Sequence, residues 1–334
     1  MIDVGTPGTA TAVARVPLSK KRPQKRHIPV LATAALFGLM YLVGVVSYPG
    51  FSDTQILLNI FIDNAFLLVV AVGMTFVILT GGIDLSVGAV VALTTMISAV
   101  LLRENWPAGA VLPLVLLVGT LLGLAMGCII HFFEVPPFIA TLAGMFLARG
   151  LCFVISDASI PITNSTWTGI ADVRIWFGGF RITISVVIAL VVLLIGAFVL
   201  AYTRFGRNVY ALGGNQQSAM LMGLPVARTR VAVYTISGFC SALGGVLVSF
   251  YMSSGNSLHA QGMELDAIAA VVIGGTVLAG GSGYVFGTVL GVLVLGVIQT
   301  LITYADLNSW WTRIFIGALL FAFILLQRVV NRRT

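Results

Sequence analysis

The chain has 334 residues, of which 59% are hydrophobic and 9% charged, and its net charge is +7. A soluble domain carries roughly 25% charged residues, yet seven of the 29 charges here precede residue 28, and Arg328, Arg332 and Arg333 close the chain. So little charge over residues 28–327 excludes a soluble enzyme, a nucleic-acid-binding domain and a disordered protein, and points to an all-α polytopic membrane protein.

Residues 1–28 are small, polar and basic. They read as a disordered cytoplasmic tail, because no small-residue cleavage site follows the next apolar stretch. At about 20 apolar residues per crossing, residues 29–327 form a transmembrane domain of about ten helices. The spans lie near 29–47, 62–80, 85–102, 108–132, 136–156, 182–203, 230–252, 264–281, 283–304 and 311–327. The runs 62–102 and 264–304 are interrupted only by glycines, so composition alone does not divide them. An external loop over 157–181 carries Trp167 and Trp176, which suit an interfacial belt. A polar loop over 203–230 and the C-terminal residues 328–334 fall on the opposite side. With the tail, these segments hold 13 of the 18 Lys and Arg residues, which places both termini in the cytoplasm.

Two absences bound the chemistry. All three lysines lie at positions 20, 21 and 25, so the last 309 residues lack the lysine that a phosphate-cradling G-x-x-x-x-G-K-[ST] loop needs. Any ATP that drives this protein is hydrolysed by another subunit. His27, His131 and His259 are far apart, with no partners at metal-ligand spacing, and no cofactor or metal is expected on this chain. Cys128, Cys152 and Cys240 lie in apolar segments and read as packing residues.

Small residues recur at four-residue spacing in Gly119, Gly123 and Gly127 and again in Gly287 and Gly291, a pattern that lets helices approach closely. The segments 77-VILTGGIDLSVG-88 and 276-TVLAGGSGYVFG-287 echo one another, each with a Gly-Gly pair after an apolar run. Internal repeats with broken helices mark substrate paths in transporters, and chance similarity in glycine-rich apolar sequence gives the same echo.

Ionisable residues in spans are functional suspects. Asp84 follows a Gly-Gly pair; it either caps the next helix or meets substrate. Arg149 snorkels outward, pairs with Asp63, Glu264 or Asp266, or faces the path. Glu264 and Asp266 begin a span and suit its positive end. Asn64, Thr75, Ser86 and Thr141 offer neutral hydrogen bonds to a solute or to their own helices. The segment 216-QQSAMLMGL-224 reads as a short helix bounded by Gly213, Gly214 and Gly223 and stopped by Pro225. Its Met220, Leu221 and Leu224 give it an apolar face suited to a partner's groove or to a membrane surface.

At 73-GMTFVILTGGIDLSVGA-89, 136-PPFIATLAGMFLARG-150, 203-TRFGRNVYALGGNQQSAMLMGL-224 and 264-ELDAIAAVVIGGTVLAGGSGYVFGTVLG-291 the sequence resembles the permease subunits of bacterial ABC importers for ribose, xylose, galactose and related sugars. Residues 49–67, 159–162 and 304–328 resemble one of the two permeases of galactofuranose importers. The resemblance implies an ABC importer permease fold in the bacterial inner membrane. It implies a periplasmic sugar-binding protein, a separate ATPase and a second permease chain, identical or homologous. It also implies that the 203–224 loop contacts the ATPase. The matching positions there are Arg204, Gly206, Arg207, Gly213, Gly214, Asn215, Ala219, Met222 and Gly223. The rival reading is a proton-coupled secondary sugar transporter that needs no ATPase.

Overall fold

The computed structural model describes residues 28–308 and 310–332. The tail expected over residues 1–28 lies outside them except for Ile28, as do residues 333 and 334 of the C-terminal segment. In chain order the helices are α1 (Ile28–Ser47), α2 (Thr54–Asp63), α3 (Ala65–Leu79), α4 (Val87–Arg103), α5 (Ala108–Phe132), α6 (Pro137–Ile155) and α7 (Ser165–Ala171). They continue as α8 (Ile184–Tyr202), α9 (Arg204–Gly214), α10 (Gln216–Leu221), α11 (Val226–Met252), α12 (Met263–Ile273), α13 (Val285–Tyr304) and α14 (Trp310–Arg332). Strand β1 (Ile160–Pro161) pairs antiparallel with β4 (Ser254–Gly255), and β2 (Arg174–Phe177) forms a hairpin with β3 (Phe180–Thr183).

The all-α membrane architecture is as the composition requires, and the count of ten spans is not confirmed by helix length and apolarity. Among the described residues six helices are long and apolar enough to cross a membrane, or seven if α2 and α3, bent by 58° at Asn64, are one span. Helix α4 and the apolar stretch Trp310–Leu325 of α14 are shorter. The span expected over 264–281 is not one helix. Helix α12 stops at Ile273, and residues 274–284 leave the helical path. The reason is local: Gly275, Gly280 and Gly281 adopt φ of +93°, +89° and +75°, which only glycine takes without strain. Apolar composition persists through the segment and hides the break. Helix α11 begins at Val226 rather than near 230.

Helices α11 and α13 are the most buried of the long helices, and α11 packs on α3, α4 and α5. Close approach explains the glycine spacing. A Cβ on Gly123 would overlap the Tyr234 carbonyl, and one on Gly238 would overlap the Gly119 carbonyl, so α5 and α11 meet backbone to backbone. Gly287 and Gly291 leave the same kind of room for Gly274 and Ala270 beside α12. Within residues 157–181 Trp167 is buried and donates its indole N–H to Ser249 Oγ at 3.1 Å, while Trp176 is exposed.

Gly238→Val should force the α5–α11 contact apart at a cost of roughly 1–3 kcal/mol, lowering the thermal unfolding temperature in detergent. Gly150→Val, where a Cβ meets nothing within 4 Å, should leave it unchanged.

Candidate functional site

The break between α3 and α4 is held from two sides. Gly81 turns the chain at φ +78°, and Asp84 follows, wholly buried. One Asp84 oxygen accepts from the Ser86 N–H at 3.0 Å and the Ser86 hydroxyl at 2.6 Å; the other accepts from the Ser237 hydroxyl of α11 at 2.7 Å. Three donors, and the positive start of α4, make a buried carboxylate tolerable. Thr141 of α6 donates to the Pro137 carbonyl at 2.8 Å and reaches the Ile83 carbonyl at 3.3 Å. Asp84 therefore ties α4 to α11.

The starts of α4 and α12 meet. A Cβ on Gly88 would overlap Glu264 Oε2 and the Ala260 carbonyl. The chain approaches α12 through residues 253–262, where Ser253, Ala260 and Gly262 all have positive φ. Arg149 holds this approach from α6, donating to the carbonyls of Ser257 at 2.6 Å and His259 at 2.9 Å. The acids expected to pair with Arg149 are engaged otherwise. Asp266 is bridged by Arg313 at 2.7 Å, and Asp63 accepts from the Tyr251 hydroxyl at 3.2 Å; Glu264 stays within electrostatic reach of Arg149. Thr75 donates to the Ala71 carbonyl, and its hydroxyl lies 2.8 Å from that of Thr288, joining α3 to α13. Asn64 and Asp266 both line a cavity beside the α2–α3 bend.

The two echoing segments also meet. Each is a helix, a glycine break and a second helix, and the Gly281 N–H donates to the Leu79 carbonyl at 2.9 Å. Helix α9 lies on both breaks at once. Thr203 caps it, accepting from the Gly206 N–H at 3.1 Å, and Gly206 fits against the Val199 and Leu200 carbonyls with no room for a side chain. At its far end a Cβ on Gly213 would overlap the Leu79 carbonyl and the Gly281 N–H. Tyr210 donates to the Gly283 carbonyl at 2.9 Å. The loop thus holds two helices, not one over 216–224. Gly213 and Gly214 end α9, Asn215 caps α10 by accepting from the Ser218 N–H at 2.8 Å, and Gly223 turns at φ +73°. Ala219 is buried under α10, while Met220, Leu221 and Met222 are exposed, with Leu221 at 89%. Arg204 and Arg207 are exposed on α9.

Residues 56–324 match the family described as branched-chain amino acid transport system / permease component. The chain belongs to this permease family. It is 46% identical over 308 residues to the inner membrane ABC transporter permease protein YjfF of Escherichia coli, covering 91% of this chain and 93% of that one. It is 40% identical to the fructose import permease protein FruG of Bifidobacterium longum, over 96% of this chain and 97% of the relative. It is also 40% identical to the ribose import permease protein RbsC of Haemophilus influenzae, over 84% and 88%. No solved structure matches the chain. The permease is a multi-pass inner-membrane transport component of ABC type and not an enzyme.

Ser237, Tyr234 and Thr288 complete this polar centre and were not singled out from the sequence. Each lies in a helix of mainly apolar composition, and only its packing partners distinguish it. Asp84→Ala in the permease should strand the buried Ser86 and Ser237 donors at roughly 1–3 kcal/mol each. Asp84→Asn, which keeps an acceptor, should lose much less, as read by thermal unfolding in detergent.

Proposed function

We propose that this permease is the membrane subunit of an ATP-driven sugar importer and forms the path for a monosaccharide. The observation that carries the reading is α9–α10. The exposed Met220, Leu221 and Met222 offer an apolar surface, and α9 rests on both glycine breaks through Gly213 and Tyr210. A partner docked on α10 therefore has a direct hold on the ends of α3 and α13. Methionine-rich helix faces suit groove docking. With no lysine after position 25, the ATP that powers transport is hydrolysed on that partner.

Fructose and ribose import by relatives at 40% identity supports a sugar as cargo. The finer resemblance at residues 49–67, 159–162 and 304–328 supports a furanose form, galactofuranose in particular. The sugar is delivered by a periplasmic binding protein, and a second permease chain, identical or homologous, completes the path. The positive charge of these segments supports a cytoplasmic location for both termini, α9 and α10. In this reading Asn64, Thr75, Asp84, Ser86, Thr141, Arg149, Glu264 and Asp266 shape or flank the route. A neutral cargo fits a route so poor in unpaired charge.

Vesicles containing the permease, its ATPase and the binding protein should take up sugar only with ATP. Uptake by the permease alone, driven by a pH gradient, would overturn the reading in favour of a secondary transporter. Leu221→Glu should abolish co-purification of the ATPase while the permease keeps its unfolding temperature, because the side chain is almost fully exposed. Undiminished co-purification would show that the ATPase docks elsewhere.

A further inference from the structure

A cavity of about 450 Å³ lies between the α2–α3 bend, the end of α11, the start of α12 and the last turns of α13. A second lobe of about 300 Å³ continues along α14 and shares Asn64, Leu67, Asp266 and Gln299 with the first. Ligand pockets occupy about 300–1,000 Å³. The wall from α13 is Gly296, Gln299, Thr300 and Thr303, a helical i, i+3, i+4, i+7 face on an otherwise apolar helix. Gln299 is exposed, and among the described residues its amide has no hydrogen-bond partner. Facing lipid, that amide would forgo its hydrogen bonds at a cost of several kcal/mol. Facing a hydrated cavity, it offers two donors and an acceptor.

The other groups are arranged for a neutral polyol. Asn64 donates to the Ile60 carbonyl at 2.9 Å, which leaves its side-chain oxygen as an acceptor. Asp63 is held by the Tyr251 hydroxyl and Asp266 by Arg313, so each carboxylate is positioned and retains acceptor capacity for sugar hydroxyls. Arg313 is the basic residue among the described residues lining the two lobes, and it is already paired with Asp266 rather than offered to the carboxylate of an amino acid. Tyr251 and Tyr304 add aromatic rings to the wall, against which the C–H faces of a sugar can pack. The cavity also lies far from α9–α10. Tyr251 is 25 residues along α11 from Val226, a helical rise of roughly 37 Å.

We propose that this cavity is a monosaccharide-binding site within the permease, on the side opposite the coupling helices, with Gln299 as a specificity-determining hydrogen-bonding residue. The proposal rests on the sugar-importer reading and names the place where the permease itself holds the cargo. It is tested in vesicles containing permease, ATPase and binding protein, using radiolabelled D-ribose, D-fructose and D-galactose as probes. Gln299→Leu should cut the maximal uptake rate of a transported probe about tenfold, the worth of one to two lost hydrogen bonds. The half-saturating concentration of loaded binding protein and the ATP hydrolysis measured without sugar should not change. Gln299→Asn should restore part of the rate, and Thr303→Val, close in shape, should give a smaller loss. Equal uptake by the wild-type and Gln299→Leu complexes overturns the site and leaves the importer reading standing. Failure of the wild-type complex to move any of the three probes overturns both.

Discussion

Where helices break in so apolar a chain, each backbone group freed by the break must find a partner in the protein or in water. The interaction that meets this demand is the bond from the Gly281 N–H to the Leu79 carbonyl, which closes one glycine break with the other. Around it, Gly81 and Gly280 pass backbone against backbone, Asp84 gathers Ser86 and Ser237, and Tyr210 reaches the Gly283 carbonyl. Larger residues at these turns would meet both a φ penalty and a collision.

That closure links the two ends of the permease. Helix α3 runs from Asn64, on the cavity wall, to Leu79, at the break. Helix α13 begins just after Gly283, to which Tyr210 donates, and carries Gln299 near its other end. The helices gripped by α9 are therefore the ones whose far ends shape the polar cavity. Packed cores shift between discrete arrangements rather than deforming smoothly. In the proposed function a displacement of α9 would pass along α3 and α13, with the breaks as the places where backbone dihedrals change.

Much of this was legible in the residues. The Gly-Gly pairs at 81–82 and 280–281 marked both breaks. The four-residue glycine spacing in α5 foretold its contact with α11. The length of α12 was hidden, because residues 264–281 stay apolar whether the backbone is helical or turned. Helix α9 escaped notice because its partners, Leu79 and Gly281, are distant in sequence, and nothing local requires Gly213 to be small. Gln299 and Tyr251 were not singled out from the sequence. The clustering of Gln299, Thr300 and Thr303 on one face of an apolar span was the signal available.

The central claim is that α9 carries the ATPase's work to both breaks. It is tested most directly by measuring ATP hydrolysis and sugar uptake together in vesicles holding the Gly213→Val permease with its ATPase and binding protein. The added side chain has no space against the Leu79 carbonyl and the Gly281 N–H, so α9 must lift from the breaks while α10 stays free to dock. The account predicts that hydrolysis persists and uptake falls to background. Uptake that remains in proportion to hydrolysis would contradict it.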